Sequence, residues 1–345
     1  VSLECMAEVE RTPSGRICNA QCGACGQRYH SSGGASALCP NCRPADASGA
    51  SQRRDAVRPT PGFQDSAWHG LAGQEEWARP ACAAQCEDAA RPGYSELKAT
   101  EYLDSPAVLR AKAKLTARLL RQARACAVYT GAGISTAAGI GDYASKASAS
   151  VAPHKRGARS GNRLDCRPTK GHQALASLEA AGLVHHWVQQ NHDRLAQKAG
   201  FPQSKLNEIH GAWGDNKNRV VMMDESLRPD LCEWLSEWAS KADLCLALGS
   251  SLCGMTADNL VGATADKFAD GVGGGVVICN LQPTPYDTQS TVRVWSRLDD
   301  FLVLVAKELK LAVPNRTKER EGQDWTTCHP QCKFDTPRRR TTKRE

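Results

Sequence analysis

One stretch, Cys126 to Tyr143, constrains the fold of this 345-residue chain more than any other. It contains a short apolar run rich in β-formers, Ala127 to Thr130, which reads as a buried strand. Gly131 and Gly133 follow at once, and the spacing predicts a helix starting over Ile134 to Ala138. A strand, a glycine turn and a helix start together make a phosphate site. The glycines let backbone approach a pyrophosphate, and free N–H groups at the helix start face its charge. A Gly-x-Gly pair alone is weak, because many tight turns use it. The continuation through Ser135 into Ile140-Gly141-Asp142-Tyr143 makes the stretch specific.

Further strands and helices alternate after it, which predicts one large α/β domain with flanking material. A helix opens at Asp104 or Ser105 with Pro106 in its first turn; Val108, Leu115, Leu119 and Leu120 share one face, with Lys and Arg on the other. Thr169 to Ala181 reads as a helix ended by Gly182. Leu183 to Val188 reads as a strand running into Gln190-Asn191-His192-Asp193. Ala242 to Leu248 is a strand with a polar end at Gly249-Ser250-Ser251, and Val276 to Cys279 is another, ending in Asn280-Leu281-Gln282-Pro283-Thr284. Polar residues just past the C-terminal ends of strands are where open α/β sheets bind ligands. Phe301 to Leu311 reads as an amphipathic closing helix.

Residues 1–100 differ in kind: rich in Ala, Gly, Ser, Pro and Arg with little periodicity, they read mostly as loop or disorder. Within them Cys22-x-x-Cys25, thirteen residues, then Cys39-x-x-Cys42 has zinc-ribbon spacing, inside an island spanning 18–42. The alternative is a cysteine-rich disordered tail. Cys82 and Cys86 have no obvious partner pair. The domain reading is therefore 1–100, 101–314 and a basic tail at 315–345 carrying Arg338-Arg339-Arg340 and Lys343-Arg344. That tail reads either as a nuclear import signal or nucleic-acid contact, or as a solvated end. The net charge of +7 allows an acidic partner such as chromatin. Residues 1–11 are too polar for a signal peptide and no apolar run reaches bilayer length, so no membrane is expected. The sixteen cysteines then suit metals and cores in a reducing compartment, nuclear or otherwise cytoplasmic.

The central stretch resembles the sirtuin family of NAD-dependent protein deacylases, which writes Gly-Ala-Gly-Ile-Ser, a few small residues, then Ile-Pro-Asp-(Phe/Tyr)-Arg. Gly131-Ala132-Gly133-Ile134-Ser135, Ile140, Asp142 and Tyr143 match, while Gly141 replaces the proline and Ala144 the arginine. Gln190, Asn191 and Asp193 match the family's Gln-Asn-x-Asp, and seventeen residues after Asp193 comes His210-Gly211, matching the pair that carries the family's catalytic base. Leu206 to Gly211 and Asn280 to Thr284 are most similar to the nuclear class of sirtuins. The family's four-cysteine zinc module, expected after His-Gly, is absent from its usual position. The amino-terminal cysteine island reads as a displaced copy, an unrelated zinc finger or a misjoined segment.

The resemblance implies a Rossmann-like doubly wound parallel sheet with a reduced small domain, flanked by disordered tails. It implies that Gly131, Ala132 and Gly133 hold the NAD pyrophosphate. Ser135, Asn191 and Asp193 line the nicotinamide pocket, bounded by Ile140 and Asp142, with Tyr143 and Gln190 beside it. Gly249, Ser250 and Ser251 take phosphate and ribose; Asn280, Leu281 and Gln282 take the adenosine ribose. Residues 144–168 would be a mobile loop closing over the cofactor. His210, helped by Asn191 and Gln190, would act as base while an acyl group moves from lysine to ADP-ribose and nicotinamide leaves. The implied substrate is an acylated lysine on a protein, with histone the first choice. Mono-ADP-ribosyl transfer or NAD hydrolysis, and a catalytically weak NAD-binding chromatin scaffold, stand as alternatives.

Overall fold

The structure is a computed structural model and describes residues 20–21, 28–29, 57, 65–152, 165–222 and 225–314. Chain contacts divide it into two units, Val1–Ala56 and Val57–Glu345. In the first, β1 (Ala20–Gln21) and β2 (Arg28–Tyr29) pair antiparallel, with Ala20 opposite Tyr29. Cys22, Cys25, Cys39 and Cys42 lie outside the described residues, as does the basic tail at 315–345.

The second unit begins with structure where loop is expected. α1 (Ser66–His69) is a single turn that buries His69 against Trp77. β3 (Ala81–Ala84) pairs antiparallel with β4 (Glu101–Leu103). Residues 65–100 are thus ordered around apolar anchors such as Ala90, Ala99 and Trp77 that a composition-based reading passes over. α2 (Pro106–Gln122) starts as its sequence dictates, with the Ser105 side chain accepting from the Val108 N–H and Pro106 at the first helical position. One residue departs from the expected polar face. Lys112 is fully buried and donates to both oxygens of Asp104 at 2.8 and 2.9 Å, while Asp104 also accepts from the Trp295 N–H at 2.9 Å. Trp295 in turn donates to the Trp68 carbonyl at 2.7 Å, which ties this arm to the main sheet.

That sheet starts with β5 (Cys126–Thr130), buried along its whole length. It continues through α3 (Lys170–Ala180), β6 (His186–Gln189), the one-turn α4 (Leu195–Lys198), β7 (Leu206–Glu208) and α5 (Pro229–Lys241). β8 (Leu244–Leu248), α6 (Asn259–Ala269), β9 (Gly275–Cys279), β10 (Val292–Val294) and α7 (Leu298–Glu308) complete it. The six strands run parallel in the order β10-β9-β8-β5-β6-β7. Strand alternation divides the core in two. Cys126, Val128, Leu244 and Leu246 pack with α2, α3 and α7; Ala127, Tyr129, Cys245 and Ala247 pack with α5 and α6. Buried on both faces, these strands read as near-continuous apolar runs, and helices cover both sides. The architecture is the Rossmann-like doubly wound sheet expected, and strand order reverses between β5 and β8. Buried Cys126, Cys245 and Cys279 serve this core, their thiol pKa values pushed up by burial.

The helix expected over Ile134 to Ala138 is not formed. Two 3₁₀ turns, Ala132–Ile134 and Thr136–Ala138, take its place, and left-handed Gly139 (φ 86°) stops the second. A phosphate at this point would meet turn N–H groups rather than the end of a helix dipole.

Candidate functional site

The site lies where the topology reverses. The loops after β5 and β8 interlock there: the Gly131 N–H donates to the Leu248 carbonyl at 3.2 Å and the Gly133 N–H to the Gly249 carbonyl at 2.9 Å. A Cβ on Gly133 would come 2.8 Å from the Gly249 Cα, and Gly249 is itself left-handed (φ 61°). The glycine requirement at 133 is thus met first by one loop passing against another.

On this floor three polar side chains converge. The Asn191 Nδ2 donates to the Gly131 carbonyl at 3.0 Å and to the Ser135 Oγ at 3.0 Å. The Ser135 hydroxyl donates to Asp193 Oδ2 at 2.6 Å, and Asp193 Oδ1 accepts from the N–H of Leu195, the first residue of α4, at 2.9 Å. Ser135 and Asp193 are each 1% exposed, so this is an anchored network rather than a surface cluster. Gln190 directs its amide to the Tyr129 hydroxyl, which donates to Asp258 Oδ1 at 2.7 Å. Burial holds the Asp258 carboxyl above its usual range despite that bond.

His210 stands next to this network. Its pKa falls to about 4, chiefly through burial and secondarily through nearby His192, with the Gln190 main chain acting in the opposite sense. The turn it sits on is fixed by Gly211 (φ 82°), where a Cβ would come 2.0 Å from the Arg219 carbonyl oxygen. The segment 211–221 closes without metal-type ligands. The Asn218 side chain donates to the Glu208 carbonyl at 3.0 Å, its carbonyl accepts from the Ala212 N–H at 2.9 Å, and Asp215 Oδ1 accepts from the N–H groups of Lys217 and Asn218. No group of three or more potential metal ligands occurs among the described residues.

Other expected site residues are placed differently. The Asp142 carboxylate accepts from the Ala144 N–H, the Ser145 N–H and the Ser145 hydroxyl, folding its own turn. Tyr143 is 84% exposed, and Ile140 is half-buried. Ser250 is buried and its Oγ accepts from the Leu252 N–H, while the Ser251 carbonyl accepts from the Cys253 thiol. The Gln282 amide is spent on the carbonyls of Ala99 (3.2 Å) and Ala144 (2.7 Å), the Asn280 amide donates to the Gln282 carbonyl, and the Leu281 carbonyl accepts from the Tyr102 N–H.

Two residues that organise this end of the sheet escape a motif reading. Arg293 is fully buried on β10, and its guanidinium donates to Asp287 Oδ1 (2.6 Å) and to the carbonyls of Gln282 (2.6 Å), Val294 (2.6 Å) and Asn280 (3.0 Å). Glu101, also fully buried, accepts from the Ser150 hydroxyl at 2.6 Å and the Val151 N–H at 2.7 Å, pinning the segment after Tyr143. A charge inside the Thr291-Val292-Arg293-Val294-Trp295 alternation is the available signal for Arg293; nothing local marks Glu101.

Sheet order and the polar cluster at its reversal define a doubly wound α/β class of protein with its polar loops at the switch point. No family model matches the chain. Among curated proteins, the chain is 28% identical over 255 residues to the NAD-dependent protein deacetylase SRT1 of Arabidopsis thaliana, covering 62% of this chain and 52% of that protein. It is 30% identical over 262 residues to the NAD-dependent protein deacetylase sirtuin-7 of Bos taurus, covering 63% and 65%. With the NAD-dependent protein deacetylase Sirt6 of Drosophila melanogaster it shares 27% over 286 residues, covering 67% and 87%. A solved chain described as "The Structural basis for Sirtuin Substrate affinity" is 26% identical, with 56% of this chain and 97% of that chain covered and a TM-score of 0.46. These curated relatives are sirtuins, to which the chain is similar over 62% to 67% of its length. The chain spans only 52% to 65% of the length of the first two relatives.

Proposed function

We propose that this protein is an NAD-dependent protein-lysine deacylase acting at the sheet reversal. The observation that carries the reading is the hydrogen-bonded convergence of Gly131, Ser135, Asn191 and Asp193, with His210 beside it. The donor set fits the cofactor at its nicotinamide end, with an amide and a carboxylate for a carboxamide and a neutral imidazole; at the phosphate end the Gly131 and Gly133 N–H groups are taken by the Leu248 and Gly249 carbonyls. Gly131, Ala132 and Gly133 would line the pyrophosphate by close approach of backbone, with Gly249, Ser250 and Ser251 opposite. Ser135, Asn191 and Asp193, with Ile140, Asp142, Tyr143 and Gln190, would surround the nicotinamide. Asn280, Leu281 and Gln282 would border the adenosine ribose through their backbone, since the Asn280 and Gln282 amides are engaged elsewhere.

Bound NAD supplies an electrophilic ribose carbon and nicotinamide as a leaving group. His210 stays neutral at working pH because burial disfavours its charged form, so its ring is available to take a proton. Asn191 is fixed by Gly131 and Ser135, so it would meet ligand without reorganising. The substrate would be an acylated lysine on a protein, histone first, in the nucleus, with the basic residues Arg338 to Arg340 available to chromatin.

Ala144 in place of arginine, with the gap after Gly211, favours a second reading, a catalytically weak NAD-binding scaffold on chromatin, since a charge beside the cofactor is removed. For zinc, Cys22, Cys25, Cys39 and Cys42 are the ligand set; the hairpin of β1 and β2, which brackets Cys22 and Cys25, suits a zinc knuckle. About one zinc per chain by atomic absorption, lost in Cys22→Ser/Cys25→Ser, is expected.

Nicotinamide release from NAD, with and without an acetyl-lysine peptide, in the native protein and in His210→Ala, decides the main reading. Peptide-dependent release that the substitution abolishes is the expected result. Peptide-independent release favours transfer or hydrolysis. Binding of NAD by calorimetry with no release would leave a cofactor-binding scaffold.

A further inference from the structure

The residue at the variable place of Gln190-Asn191-His192-Asp193 has no part in the reading so far. We infer that His192 is the positioning residue for the catalytic base, holding the His210-Gly211 turn through a hydrogen bond from its Nδ1 to the Gly211 carbonyl. The inference rests on the reading of His210 as that base.

The His192 Nδ1 lies 3.0 Å from the Gly211 carbonyl oxygen. A carbonyl can only accept, so the proton sits on Nδ1, and the neutral ring carries its lone pair on Nε2. The His192 carbonyl accepts from the Trp213 N–H at 2.9 Å, so one residue grips the turn by ring and main chain alike. The remaining supports come from elsewhere: the Gly211 N–H donates to the Glu208 carbonyl at 2.9 Å, and the Val221 N–H to the His210 carbonyl at 3.0 Å. Left-handed Gly211, wedged against the Arg219 carbonyl, cannot carry a side chain that would hold the turn itself. Across the same gap, Arg194 meets Asp215 at 3.7 Å, so a charge pair also spans from the β6 end to the 211–221 segment. His192 is thus the hydrogen-bonded link from the loop that carries Asn191 and Asp193 to Gly211, next to His210, with the Arg194–Asp215 pair beside it. Their separation, on which proton transfer depends, is set there. The nearness of the two rings is also why His192 contributes to the lowered pKa of His210.

The test uses the full chain with His192→Asn, His192→Gln and His192→Leu. Asparagine places an amide nitrogen where Nδ1 was; glutamine places it nearer the Nε2 position and leaves the carbonyl unmet. Two readouts are taken: the rate of nicotinamide release, and the exchange protection by NMR of the Val221 N–H that bonds the His210 carbonyl. Expected is a roughly tenfold fall in kcat for Leu and Gln with KM for NAD little changed, a recovery to within about twofold for Asn, and a protected Val221 N–H in native and Asn proteins only. Asn and Gln behaving alike, or the Val221 N–H staying protected in all variants, overturns the inference. If Leu fails to fold, the Asn and Gln pair still decides. If His210→Ala releases nicotinamide at the native rate, the base assignment fails, while the NMR arm separately reports whether His192 holds the turn.

Discussion

At the scale of single residues, burial sets the protonation of the site. His210 has its pKa drawn down to about 4 from an ordinary 6.5, so the neutral, proton-accepting form persists well into acid. Nicotinamide release should therefore stay flat from pH 8 to about pH 5 and bend only below, instead of bending near 6.5; a pH–rate profile checks this. The same shift works on stability. A histidine whose folded pKa lies below its unfolded value contributes stability above 6.5, and that contribution is lost as pH falls through the folded pKa. Buried His69, also lowered to about 4 by burial, and His172 act in the same sense. The melting temperature should fall progressively between pH 6.5 and 4. Ser135→Ala removes the donor to Asp193 and an acceptor of Asn191 inside a closed network; a stability loss of about 1–3 kcal/mol in urea unfolding, with reduced nicotinamide release, is expected. These residues were legible in the sequence because Gln190 to Asp193 and Gly131 to Ser135 are local strings. How their side chains bond to one another was not, since the partners lie about sixty residues apart.

At the scale of elements, the parts hardest to foresee are charges placed inside. Helix starts, strand ends and the closing helix follow from caps, glycines and apolar runs, and the strands fall within a few residues of expectation. Lys112 and Arg293 break that pattern. Each sits in an element whose periodicity says little of a partner distant in sequence or of a carbonyl cluster formed only on folding. Arg293 joins β10 to the 280–287 segment and stacks on the Trp295 ring, with its carbon centre 3.5 Å from the ring centroid. Arg293→Met would leave Asp287 without its cation, the Asn280 carbonyl without its side-chain donor and the Gln282 carbonyl with the Asn280 amide alone. A loss of about 3–5 kcal/mol in denaturant unfolding is expected, with weaker NAD binding by calorimetry. Arg293→Lys should recover little, because one ammonium cannot reproduce a planar fork that meets four oxygens.

At the scale of the whole molecule, the question is where the folded unit begins. A composition boundary at residue 100 treats everything before it as tail, yet Trp68 meets Tyr102 edge to face and Trp295 at a tilt, with ring centroids 5.2 and 5.5 Å away, and its carbonyl receives the Trp295 indole. Tyr102 meets Trp295 at 5.2 Å, closing a three-ring cluster over the Asp104–Lys112 pair. The arm also reaches the site: the Ala99 carbonyl takes the Gln282 amide, and Glu101 holds Ser150 and Val151. Low-complexity composition hid this because a few aromatic anchors in a stretch of Ala, Gly and Arg give no periodic signal. Two truncations separate the boundaries. A chain starting at Val57 keeps α1, β3, β4 and their ring cluster, and should unfold cooperatively near the melting temperature of the full chain and bind NAD with similar affinity. A chain starting at Glu101 loses Trp68 and Trp77, uncovers the Asp104–Lys112 pair to water, and should melt at least several degrees lower. Equal melting temperatures for the two would mean that residues 57–100 rest on the sheet without stabilising it, and that the boundary at 100 was right after all.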